Sequence, residues 1–159
     1  MARKQNRRKA SPAAAILTVL VLAALFVWRM LGSPEDGKTQ ITLPNGELHV
    51  WFLDVGQADS SLLVCDGQAM LIDGGNVDDA SYVVASLEHY GVTSLDYVIN
   101  THCDEDHVGG LAGVLAKFPA EHVWSSTAEY GTKAFSNFVK YANEQGRAIE
   151  IPSPGDTFT

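Results

Sequence analysis

Hydrophobic and polar positions divide this chain into two unlike parts. From Ala13 to Trp28 it reads A-A-A-I-L-T-V-L-V-L-A-A-L-F-V-W, without a charge. Met30 and Leu31 extend the run past Arg29, whose long stem can carry its guanidinium to a membrane surface. A spanning helix needs about 17–25 apolar residues, so a short membrane-crossing helix is predicted within residues 11–31. After Glu47 the pattern changes to short runs between turn residues. His49-Val50-Trp51-Phe52-Leu53 and Ser60-Ser61-Leu62-Leu63-Val64-Cys65 predict two strands. Asp66-Gly67 predicts a tight hairpin into a third, Ala69-Met70-Leu71-Ile72. Between Asp78 and Tyr90 the period lengthens: Tyr82, Val83, Ser86, Leu87 and Tyr90 recur every three or four positions, which predicts a helix capped by Asn76 or Asp78. Leu95 to Ile99 is a fourth strand, Gly109 to Phe118 a helix ended by Pro119, and His122-Val123-Trp124 a short strand. Lys133 to Glu144 is a helix with Ala134, Phe135, Phe138 and Tyr141 on one face and Gly146 as its stop; Ala148 to Ile151 opens another strand.

Strands come first, then strands and helices alternate. That order predicts an α/β (α+β) layered domain around a mixed sheet. Gly32 to Gly46, rich in Gly, Pro and polar residues, reads as a linker. The expected organisation is a basic tail over 1–10, the apolar segment over 11–31, the linker over 32–46 and the domain over 47–159. The last residues, Pro154 to Thr159, read as a turn and the start of a strand, so a longer protein is expected.

Charge sharpens this division. Arg3, Lys4, Arg7, Arg8 and Lys9 precede the apolar run with no acid among them. From Ser33 onward five bases (Lys38, Lys117, Lys133, Lys140 and Arg147) face all 19 acids, a net charge of −14. By the positive-inside rule the tail is cytoplasmic and the domain lies outside, tethered to the cell membrane by a single span. The alternative is a cleaved signal peptide, although Ala23-Ala24 matches a small-x-small cleavage site poorly. A core helix fits neither the basic flank nor a stripe that is apolar all round. Cys65 and Cys103 are the only cysteines, too few for a disulfide framework.

The candidate chemistry sits where the fourth strand ends. Asn100 to Gly110 reads N-T-H-C-D-E-D-H-V-G-G, with two imidazoles and three acids within six positions. In open α/β sheets functional groups collect at the carboxyl ends of strands, and Asp54 and Asp73 occupy two further such ends. Imidazole and carboxylate together are ligands for zinc and neighbouring divalent metals. In an extended loop, His102 and Asp104 project alike toward one ion, and Asp106 and His107 toward a second. Gly109 and Gly110 would let a helix begin beside them, its free N–H groups favouring an anion. An acidic loop that is merely solvated is the plain alternative.

The order of residue types decides between these. T-H-C-D-E-D-H-V-G-G resembles the H-x-(H/D)-x-D-H signature of the metallo-β-lactamase superfamily. F-L-D-V-G-Q-A-D-S-S-L-L-V, Phe52 to Val64, resembles the D-V-G-Q-G-D segment of its ComEC-like branch, and L-I-D-G-G, Leu71 to Gly75, its strand and turn before the first helix. The three occur in the family's order over Glu47 to Phe118. The resemblance implies an αββα sandwich, of which this chain would hold the N-terminal half, and two divalent metal ions, Zn²⁺ or Mn²⁺. It implies His102 and Asp104 as ligands of the first metal, and Asp106 and His107 as ligands of the second. Asp106 would also orient the attacking hydroxide. Asp104 stands where many members have a second histidine; the ComEC-like branch often has Asp there, and the harder donor makes Mn²⁺ a rival to Zn²⁺. Asp73 would lie behind the ligands and fix the loop. Asp59 and Gln57 are candidates to line the site, with a strand-entry turn as the other reading. His49 and His89 read as surface residues, His122 as remote, and Cys103 as turned toward the core.

The implied reaction is hydrolysis by metal-activated hydroxide. A phosphodiester is the preferred bond, because ComEC-like domains are linked with degrading one strand of incoming DNA. Against long DNA stands the charge: the external part has no cluster of Lys and Arg, on which nucleic-acid affinity leans, which leaves a small or cell-wall phosphodiester open. Hydrolysis of another ester, a lactone or thioester, and a non-catalytic binding domain are the alternatives.

Overall fold

A computed structural model describes Val21 and residues 43–157. The basic tail, the apolar segment apart from Val21 and the linker up to residue 42 lie outside the described residues, so the predicted span is not among them. Among the described residues no helix is long and apolar enough to cross a membrane.

Five strands form one sheet: β1 (His49–Phe52), β2 (Ser61–Cys65), β3 (Gln68–Ile72), β4 (Leu95–Asn100) and β5 (Ala120–Ser125), in that spatial order. The first three run antiparallel and the last two join in parallel, which is the predicted mixed sheet. Connection length explains the switch. Asp66 and Gly67 both adopt the left-handed region (φ 49° and 84°), as a two-residue hairpin loop of primed type requires. Parallel neighbours need a crossover, usually a helix. Helix α1 (Ala80–His89) links β3 to β4, and α2 (Glu105–Val108) with α3 (Leu111–Lys117) links β4 to β5. Helix α4 (Lys133–Glu144) follows β5.

Strand alternation sorts the sheet into two faces. Leu62, Leu71, Val98 and Val123 lie in one row across β2 to β5, and each is 0% exposed. Val83 and Leu87 of α1, Leu111, Val114 and Leu115 of α3, and Phe135 and Phe138 of α4 join them in one core. Removing each such side chain from water contributes about 1.5–3 kcal/mol. The other face carries a second row, Val50, Leu63, Met70, Tyr97 and His122, none of it buried among the described residues. Among the described residues, the helices pack on the face of the first row.

Local differences from the sequence reading have identifiable causes. The helix expected over Gly109 to Phe118 is α3, and a further short helix, α2, winds Asp106 and His107 into a turn just before Gly109-Gly110. A 3-10 turn, Val77–Asp79, precedes α1. Asn76 stands at its N-cap, while Asp79 rather than Asp78 reaches back, accepting from the Asn76 backbone N–H at 2.8 Å and side-chain amide at 3.2 Å. Ala148 to Ile151 makes a single bridge, Trp124 to Glu150, rather than a strand. The Gly46 N–H donates to Asp66 Oδ1 at 2.6 Å, tying the end of the expected linker to the first hairpin.

Candidate metal centre

Topology brings the candidate residues to one edge. β3 and β4 are parallel neighbours, so Asp73 and the His102–His107 segment leave the sheet side by side. β2 is antiparallel to β3, which puts Asp59, just before β2, at the same edge. β5 is parallel to β4, so the loop after Ser125 emerges there too.

Backbone hydrogen bonds sew the three motifs together. Asp59 N–H donates to Asp106 O (3.1 Å), Gly74 N–H to His107 O (2.7 Å), Gly75 N–H to Asp59 O (2.9 Å) and Gly110 N–H to Gly75 O (3.1 Å). Such close backbone approach admits no side chain. A Cβ on Gly110 would lie 2.0 Å from Gly74 O, and one on Gly109 would lie 2.4 Å from Val77 N. These glycines fit the loops against each other. Their own N–H groups are used within the loops, Gly109 N–H on Glu105 O and Gly110 N–H on Gly75 O, and the helix that follows begins at Leu111.

Asp73 anchors the site from beneath. It is 3% exposed and sits at φ 58°, a left-handed conformation that Asp tolerates better than most residues. Its Oδ1 accepts from Thr101 N–H (2.8 Å), and its Oδ2 from the Thr101 hydroxyl (2.5 Å) and from His107 Nδ1 (3.0 Å). Ser60 Oγ donates to its carbonyl at 3.0 Å. With Nδ1 bound to Asp73, His107 turns Nε2 toward the edge, where Asp59 Oδ2 lies 3.8 Å away and Asp106 Oδ2 3.9 Å. The bond to Asp73 raises the His107 pKa above 6.5; partial burial opposes this, and the charges of Asp73, Asp106 and Asp59 add to it.

Beside this group, His102 Nδ1 lies 3.4 Å from Asp104 Oδ2, and the His102 and His107 rings meet edge to face at 5.5 Å. Asp104 Oδ1 accepts from the Tyr130 hydroxyl at 2.8 Å, and that bond raises the tyrosine pKa above its ordinary 10.0. Cys103 turns inward: it is 4% exposed and its Sγ accepts from Asn100 Nδ2 at 3.3 Å.

Among the described residues, no three His, Cys, Asp or Glu side chains already stand in a closed ligand cluster. The donor set nonetheless fits a divalent ion. The Nε2 of His107 has two carboxylate oxygens within 3.9 Å, close to the roughly 3.4 Å spacing that zinc–ligand bonds of about 2.1 Å impose on a tetrahedron. The side chains of His102, Asp104, Asp106 and Asp59 are 60%, 55%, 45% and 73% exposed, which leaves them room to turn.

Of the sequence candidates, His102, Asp104, Asp106, His107, Asp73 and Asp59 come together, and Gln57 is exposed on the same loop as Asp59. Asp54 braces that loop, accepting from Gly56 N–H at 3.4 Å. His122 stacks on Tyr97 and pairs with Glu150 at 3.0 Å, away from the edge. His89 is exposed, whereas His49, read as a surface residue, is half-buried and stacks on Trp51. Thr101 and Tyr130 were missed. Thr101 directly precedes the histidine of the motif and was open to suspicion; Tyr130 is distant in sequence and carries no local signal.

The model of the metallo-beta-lactamase superfamily matches residues 53–158. The chain belongs to this superfamily. It is 30% identical over 116 residues to recombination protein 2 of Haemophilus influenzae, an alignment that covers 67% of this chain and 14% of that protein. It is 33% identical over 113 residues to competence protein ComA of Neisseria gonorrhoeae, covering 70% and 15%. These two relatives place it in the ComEC-like branch, and the chain spans about one seventh of their length. The crystal structure of metallo-β-lactamase SMB-1 bound to 2-mercaptoethanesulfonate shares the fold, with a TM-score of 0.52 and 21% identity over 77% of this chain and 51% of that one. The superfamily assignment carries the α/β sheet-and-helix fold, which is of the metal-dependent hydrolase type.

Proposed function

We propose that this chain is a hydrolase of phosphodiester bonds, held outside the cell membrane by its apolar N-terminal segment and working with divalent ions, Zn²⁺ or Mn²⁺, two in number. One observation supports the site above all others: Asp73 binds Nδ1 of His107, so Nε2 is free at an exposed edge beside the carboxylates of Asp59 and Asp106. His102 and Asp104 would hold one ion; Asp106 and His107, with Asp59 within reach, would hold the other. Bound there, such ions acidify water and neutralise charge on a phosphoryl group.

The chain's own groups supply position and proton control. Asp73 fixes the His107 ring and its tautomer. Asp106, pinned through its carbonyl to Asp59 N–H, presents a carboxylate that orients the attacking water. Net charge narrows the substrate. With 19 acids against five bases from Ser33 onward, a small or cell-wall phosphodiester suits the domain better than generic contact with long DNA.

The test compares hydrolysis of bis-p-nitrophenyl phosphate with that of a lactone, each with Mn²⁺ or Zn²⁺ added. Phosphodiester turnover that disappears in Asp106→Ala is expected. Lactone turnover alone would reassign the substrate class, and a metal-loaded but inert protein would leave a binding domain. Unchanged turnover in Asp106→Ala would remove that residue from the site.

A further inference from the structure

We infer that Tyr130 is a positioning residue of the metal centre: its hydroxyl occupies one oxygen of Asp104 and leaves the other as a single donor beside His102. The inference rests on the metal-centre reading above and extends it to a residue outside all three sequence motifs.

Both oxygens of Asp104 are accounted for separately. Oδ1 accepts from the Tyr130 hydroxyl at 2.8 Å, and Oδ2 lies 3.4 Å from His102 Nδ1. A carboxylate with two free oxygens can grip an ion through both or swing between them. With one oxygen bound to a phenol, it offers one donor in one direction, as an imidazole at this position would. The bond therefore gives Asp104 the single-donor geometry that histidine has by its chemistry.

The tyrosine is held for this task from both sides. Upstream, Thr127 closes a local turn: its hydroxyl donates to Glu129 O at 3.2 Å and accepts from Glu129 N–H at 3.3 Å. Downstream, Thr132 caps α4, its side chain accepting from Phe135 N–H at 3.3 Å. Between these clamps the Tyr130 ring meets Phe135 edge to face, with centroids 6.1 Å apart, and Phe135 is 2% exposed in the core. The phenol, 44% exposed, thus rests its ring against a core residue and lays its hydroxyl on the ligand.

The experiment is calorimetric titration of the purified full chain with Zn²⁺ and Mn²⁺ for wild type, Tyr130→Phe, Asp104→His and the double variant. Tyr130→Phe keeps the ring on Phe135 and removes only the hydroxyl. Loss of a group that orients a ligand typically weakens metal affinity by about 10–100-fold, and that loss is expected here. In the Asp104→His background the same change is expected to do little, because no carboxylate oxygen is left to occupy. Equal affinities for wild type and Tyr130→Phe would overturn the role of Tyr130 while leaving the metal centre standing, as would an undiminished effect in the Asp104→His background. A wild type that takes up neither ion would overturn the metal centre itself and the role of Tyr130 with it.

Discussion

Replacing Asp73 by Asn tests the site at its deepest point. The variant keeps the size of the side chain, and Asn tolerates φ 58° as well as Asp does. Its amide oxygen can still accept from Thr101 N–H, as Oδ1 does at 2.8 Å. The amide nitrogen, however, replaces the oxygen that accepts from His107 Nδ1 at 3.0 Å. To avoid two opposed donors, His107 must move its proton to Nε2, and the lone pair that faced Asp59 and Asp106 is lost. A hydrogen bond to a charged group is worth about 1.5–3 kcal/mol, so stability without metal should fall by about that much. Metal affinity should fall by about 10–100-fold. The pH dependence has a definite sign. The Asp73 bond raises the folded pKa of His107 above 6.5, so its contribution is fully present below 6.5 and declines as pH rises through the folded value. The stability gap between wild type and Asp73→Asn, measured by urea unfolding with a chelator present, should therefore be wider at pH 6 than at pH 8. NMR titration of His107 should show its pKa dropping in the variant. An Asp73→Asn protein that binds Zn²⁺ as tightly as wild type, with His107 titrating unchanged, would refute the argument that Asp73 sets this imidazole.

Three further outcomes test the frame around the site. Gly110→Ala would press a Cβ to 2.0 Å from Gly74 O, so it should destabilise the domain by at least about 1–3 kcal/mol in urea unfolding. Gly131→Ala, with nothing within 4 Å, should stay within about 0.5 kcal/mol of wild type. Phe138→Ala empties a fully buried position of α4 and should lower unfolding free energy by about 3–5 kcal/mol; a loss below 1 kcal/mol would mean that α4 is not packed as described.

Much of this was written in the chain order itself. Short runs of strand-forming residues between turn residues located five strands to within two residues of their bounds, while the run over Ala148 to Ile151 makes only one bridge. The recurrence of Val83 and Leu87, and of Phe135 and Phe138, marked α1 and α4 at a helical period. The motif residues were legible because imidazole and carboxylate crowded after a strand have few structural uses. Other features were not local and could not be read. The break between α2 and α3 follows from Gly109 and Gly110 lying against Val77 and Gly74, neighbours only in space. The choice of Asp79 over Asp78 depends on which carboxylate turns back toward Asn76. That Asp73 takes Nδ1 of His107, 34 residues away, rests on β3 and β4 being parallel partners. Tyr130 reaches Asp104 only because β5 joins the sheet beside β4, which brings the following loop back over the edge. Residue types along the chain thus determined which chemistry is present, since donor identity belongs to each side chain alone. Which lone pair faces outward, and which oxygen is already occupied, was decided by strand pairing, because hydrogen bonds between distant segments exist only once the sheet has formed.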